Sequence, residues 1–129
     1  MEYKHEISTT YLSAEDYQES VNDVIVLFKQ HNLQTIELLF GYAWGNEYKN
    51  WAPFRVEIDS IINEIKIAEN FGVGEFGRDD IYFTLSIFNT EILFCHESDI
   101  HLRYNDQNAL VKDIRKIWEV KDFLRLNQE

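Results

Sequence analysis

"DIYFTLSIFNTEILFCHESDIHLRY", Asp80–Tyr104, is the stretch whose reading decides the fold. Ile81, Phe83, Leu85 and Ile87 alternate with Tyr82, Thr84, Ser86 and Phe88. That period of two predicts a strand with one buried face. Asn89 and Thr90 supply a short turn, and "EILFC" returns as a paired strand. Glu97, Ser98 and Asp99 are poor strand residues and good turn formers, so "HESD" predicts a second reversal. "IHLRY" then continues the sheet as a third strand. The stretch is an antiparallel meander.

Working outward, the periodicity changes on both sides. Upstream, Ile58, Ile61, Ile62, Ile65 and Ala68 fall on one helical stripe, which predicts a helix over Val56–Phe71. "FRVEID" at its start also reads as strand, so two readings of that boundary stand. "GVGEFG" (Gly72–Gly77) stops the helix with glycines that take the left-handed conformation at little cost. Downstream, Leu110, Ile114, Ile117 and Trp118 predict a last helix, capped by Asn105 or Asp106. Nearer the start, "KHEISTTYL" reads as a first strand. Ser13 with Asp16 three residues on opens a helix to about His31, carrying Tyr17, Val21, Val24, Ile25 and Phe28. "TIELLFGYAW" alternates from Ile36 to Trp44 as another strand. The fold class is therefore α+β, with three helices packed on a mainly antiparallel sheet in the order β-α-β-α-β-β-β-α. The whole of residues 1–129 reads as one domain.

Composition excludes several functions. The 129 residues carry a formal charge of −11, and residues 1–99 hold 18 acids against 6 bases. Such a field repels phosphate backbones, so no direct nucleic-acid contact is expected, and it attracts a basic partner. The same acidity also serves plain solubility. One cysteine allows no internal disulfide, and no apolar run reaches membrane-spanning length. These features predict a cytoplasmic protein that does not engage membranes.

Chemistry-bearing residues are few. Cys95, His96, Glu97, Asp99 and His101 offer transition-metal ligand types. In a continuous strand Cys95, Glu97, Asp99 and His101 would share a face; in the turn reading His96 and His101 flank a hairpin and their side chains need not converge. No HExxH or paired CxxC spacing is present, so the expectation is no metal and no cofactor. Cys95 follows "ILF" and reads as a small buried hydrophobe, although a Cys–His nucleophile pair remains formally open. "GVGEFG" follows a helix and carries Glu75, unlike a phosphate loop. No catalytic residue is assigned.

Two other segments bear on binding. Tyr42, Trp44, Tyr48, Trp51 and Phe54 surround a strand-to-helix connection, as interface anchors or as a core-capping cluster. Arg78 pairs with Asp79 or Asp80 at a strand entrance, or the acids form a rim with Glu75 for a cationic partner.

The succession helix–"FGVGEFGRDDIYF"–hairpin–"FCHESDIHL"–helix, over roughly residues 56–124, resembles small bacterial immunity proteins, such as those of contact-dependent growth-inhibition systems. The resemblance implies a non-catalytic cytoplasmic inhibitor that occludes a toxin domain, often a nuclease with a basic cleft. On that reading the partner is a cognate toxin domain with a basic surface. The acidic and aromatic segments, not the resemblance, supply the expected contact residues: Trp44, Tyr48, Trp51, Glu75, Asp79, Asp80, Glu15 and Glu19. A domain binding a small ligand or metal through Cys95–His101, and a small hydrolase or transferase, are the competing classes.

Overall fold

The computed structural model describes residues 3–40, 54–72, 74–77 and 79–126. Among these residues, six strands and three helices follow one another as β1 (His5–Ser8), α1 (Ala14–Gln30), β2 (Thr35–Phe40), β3 (Phe54–Glu57), α2 (Ile61–Asn70), β4 (Ile81–Leu85), β5 (Thr90–Phe94), β6 (Ile100–Tyr104) and α3 (Ala109–Val120). The strands form one sheet in the order β1-β6-β5-β4-β2-β3, with every neighbouring pair antiparallel. The expected α+β architecture holds, and the expected element order holds with one strand added, because "FRVE" takes the strand reading as β3.

The meander sets the core. Ile81, Phe83 and Leu85 align with Phe94, Ile92 and Thr90, and Ile92 with Leu102, so a single apolar face runs across β4, β5 and β6. All three helices lay their stripes on that face, joining it in one cluster with Val21, Val24, Phe28, Ile61, Leu110 and Trp118. An aromatic seam locks α1 down: Phe28 meets Phe83 at 6.0 Å, Phe83 meets Phe94 at 4.9 Å, and Tyr17 meets Phe94 at 6.1 Å between centroids. Each fully buried ring or branched chain contributes about 1.5–3 kcal/mol.

Helix ends follow local chemistry. Ser13 Oγ accepts from the Asp16 amide at 3.1 Å, the predicted cap of α1. Beyond the three helices, Asn32, Gly72 and Asp122 each take a positive φ, of 60°, 73° and 60°, which turns the chain away.

Several boundaries differ from expectation. β3 pairs with β2, Val56 opposite Ile36, so α2 begins at Ile61 after a short 3-10 turn instead of at Val56. Pairing to a strand some twenty residues away is invisible to local periodicity. Ile87 does not continue β4: it lies in a 3-10 turn, 76% exposed, closed by Asn89 at φ 48°. The cap of α3 is Asn108, whose Oδ1 accepts from the Val111 amide at 2.9 Å. Asn105 Oδ1 accepts from the Lys4 amide, so it serves β1 and not the helix. The predicted strand over Ile36–Trp44 is seen as far as Phe40, and residues 41–53 lie outside the described part.

Candidate functional site

The sheet face opposite the helices carries the polar half of each alternation: Glu6, Thr84, Glu91, His101 and Arg103, with Tyr82 and Leu93. Leu93 is buried yet stands apart from the helix-side core cluster, as its position on this second face requires. Across it Arg103 bridges two strands, its Nε pairing with Glu6 and its Nη1 with Glu91 Oε1 at 3.0 Å. Burial alone would raise the Glu6 carboxyl, but the Arg103 guanidinium beside it holds it below the usual carboxylate range.

At one end of this face sits the β5–β6 turn. Leu93 pairs with His101 and Phe94 with Ile100, which sets Cys95 opposite Asp99; the Cys95 amide donates to the Asp99 carbonyl at 2.9 Å. Ser98, at φ 72°, closes the reversal by donating its amide to the Cys95 carbonyl at 3.1 Å. "HESD" is thus the predicted turn. Yet side chains do converge, because alternate positions on paired strands share a face. Cys95, Asp99 and His101 bring a sulphur, a carboxylate oxygen and a ring nitrogen within 4.8 Å of one another. A second trio of Asp80, Cys95 and His96 meets the same limit. His96 and His101 flank the turn as expected, and each lies beside Cys95 in a separate trio.

Partners define what each group does. Asp80 Oδ1 accepts from the His96 amide at 2.7 Å and lies 2.8 Å from His96 Nδ1, tying the entry of β4 to the turn. That hydrogen bond, chiefly, raises the His96 pKa above its usual value. His101 Nε2 lies 3.0 Å from Asp99 Oδ2, and its Nδ1 lies 3.3 Å from Glu6 Oε2. Arg125 Nη2 approaches Asp99 Oδ2 at 3.4 Å. The other oxygen, Asp99 Oδ1, is buried without a hydrogen-bond partner. Cys95 is 9% exposed, and burial pushes its thiol up to about 11. At neutral pH it is a thiol, which disfavours nucleophilic attack. Beneath the turn, Tyr17 from α1 donates its hydroxyl to the Cys95 carbonyl at 2.9 Å.

The residues expected at a partner surface scatter. Glu15 and Glu75 are exposed. Glu19 is also exposed, but pairs with Lys121 Nζ at 2.6 Å, as does Asp23. Asp79 is fully buried, its Oδ2 accepting from the Glu75 amide at 2.8 Å, and Asp80 is 7% exposed. These two acids pin the α2–β4 connection and form no rim. Glu69 Oε2 does similar work, accepting from the Phe76 amide at 3.0 Å. Trp44, Tyr48, Trp51 and Arg78 lie outside the described residues, and with them the aromatic-anchor reading and the Arg78 ion pair. Phe54, at the edge of that segment, is 47% exposed. Sequence reasoning missed Asp80, Glu6 and Arg125 as neighbours of the turn. Only the first two carry a local signal, since each flanks or occupies a strand that pairs with the meander.

No helix among the described residues is long and apolar enough to cross a membrane. No family model matches the chain, and no curated protein or solved structure matches it significantly.

Proposed function

We propose that this chain is a non-catalytic, cytoplasmic immunity protein that binds and neutralises a cognate bacterial toxin domain with a basic surface. A nuclease is the best electrostatic match. The observation that carries the reading is the charge of −11, with 18 acids and 6 bases in residues 1–99. A surface of that sign competes with nucleic acid for a cationic cleft and accelerates encounter. The buried, protonated Cys95 supports a binding role over a nucleophilic one.

Exposed Glu15 and Glu75 are the acids through which steering acts, while Asp79 and Asp80 serve folding. Trp44 and Trp51 remain the proposed aromatic anchors on sequence grounds. Partner capture from the native host, followed by growth protection against the captured protein, tests the reading. With the partner in hand, raised salt and Glu15→Lys with Glu75→Lys should slow association more than they change dissociation. Trp44→Ala or Trp51→Ala should speed dissociation, by about 2 kcal/mol or more at a central anchor. Capture of no protein, together with protection against nothing, would sink the proposal.

A further inference from the structure

We propose that Cys95, Asp99 and His101 form a binding site for a zinc-class divalent transition metal, held at the end of the sheet face opposite the three described helices. Three ligand atoms of the types such ions select already lie within 4.8 Å of one another. Asp99 Oδ2 and His101 Nε2 stand 3.0 Å apart, against roughly 3.3 Å along a tetrahedral edge at ordinary zinc bond lengths. That edge needs little movement.

A second, independent observation points to a ligand. Asp99 is 6% exposed, and its Oδ1 is buried with no hydrogen-bond partner. A buried carboxylate oxygen left unsatisfied is costly, and an ion held by both Asp99 oxygens resolves it. The outer shell fits as well. Glu6 Oε2, 3.3 Å from His101 Nδ1, is placed to receive that N–H and leave Nε2 as the ligating atom, the arrangement in which carboxylates orient metal-binding histidines. Backbone pairing of Cys95 with Asp99 fixes the spacing of two ligands without relying on side-chain freedom. Coordination replaces the thiol proton, which leaves to solvent. The fourth position stays open to water.

The competing arrangement is a purely structural network in which Arg125, His101 and the Cys95 thiol share Asp99. The trio of Asp80, Cys95 and His96 is the alternative metal site. It is less suited, because no Asp80 oxygen is buried without a hydrogen-bond partner, as Asp99 Oδ1 is.

Cobalt(II) titration of the purified full chain separates these cases. Cys95 is the chain's one cysteine, so thiolate-to-cobalt absorption reports on it without any substitution. The expected result is that absorption saturating at one equivalent and reversed by zinc. His101→Gln and Asp99→Asn should each weaken binding about tenfold or more, and His96→Gln should weaken it less. Circular dichroism of each variant establishes that it is folded. Absence of thiolate-to-cobalt absorption at stoichiometric metal overturns the site and leaves the structural network. A loss in His96→Gln equal to or larger than that in His101→Gln overturns it in favour of the Asp80 trio.

Discussion

Tyr17→Phe isolates one hydrogen bond at the junction between α1 and the β5–β6 turn. The Tyr17 hydroxyl donates to the Cys95 carbonyl at 2.9 Å across a sequence separation of 78 residues. Its ring packs edge-on against Phe76 at 5.1 Å and Phe94 at 6.1 Å, and phenylalanine keeps both contacts. What remains is the hydroxyl. A buried carbonyl stripped of its sole donor would cost about 1–3 kcal/mol. The Cys95 carbonyl, however, also accepts from the Ser98 amide at 3.1 Å. It therefore stays satisfied, and the expected loss is the ordinary net worth of a hydrogen bond, about 1 kcal/mol. In a domain of this size that lowers the thermal midpoint by roughly 3–6 °C. Urea unfolding followed by far-ultraviolet circular dichroism measures it, with an unchanged slope confirming that the unfolded state is not what moved. A variant as stable as the parent would show that the bond is not formed. A loss above about 3 kcal/mol would show that Ser98 does not share the carbonyl, because only an orphaned acceptor costs so much.

Two further outcomes follow from the same contacts. Burial raises the Cys95 thiol from its ordinary 9.0 to about 11, so between those values the unfolded chain has lost a proton that the folded protein keeps. Stability contributed by the thiol is complete below pH 9 and falls as pH rises through 11, by up to about 3 kcal/mol; urea midpoints at pH 8 to 11 should converge for parent and Cys95→Ala as that contribution is lost, and parallel curves would refute it. Asn108→Ala should remove the cap of α3 and cost about 1 kcal/mol by the same assay, whereas Asp106→Ala should cost measurably less; the reverse ranking would restore the earlier capping assignment.

The parts of the fold legible in sequence are those decided within a few residues. Ser13 and Asp16 announce α1 because the cap is a local hydrogen bond, and it forms as expected. Alternation through Ile81–Leu85 announces β4 because both faces of the strand leave a trace. "FRVE" was ambiguous since only Val56 of its four residues is buried, and its identity as β3 rests on pairing with β2. Asp79 and Asp80 read as surface acids because composition says nothing of burial, yet one is fully enclosed and the other nearly so. The candidate site was half legible. Its ligand types were visible in Cys95–His101, and its geometry awaited the register that sets Cys95 across from Asp99. The orphaned oxygen of Asp99 has no sequence signal at all.

The neighbourhood of β1 bears on how the chain reaches its native state. Thr10 donates its amide to the Phe123 carbonyl at 2.8 Å, and Arg125 donates to the Ser8 carbonyl at 2.9 Å. Thr10 and Phe123 are 113 positions apart. Closing so large a loop costs entropy before any contact compensates it, whereas β4, β5 and β6 meet their neighbours across turns of a few residues. The meander is therefore the natural nucleus, and the seam joining β1 to residues 123–125 is the last to zip. Substitutions such as Ile92→Val should slow refolding, while Ile7→Val should act almost wholly on the unfolding rate. Equal effects on refolding would place the seam in the nucleus. Until β1 docks, β6 presents an unpaired edge to any other chain, so the window before it pairs is when this protein is most exposed to misassociation.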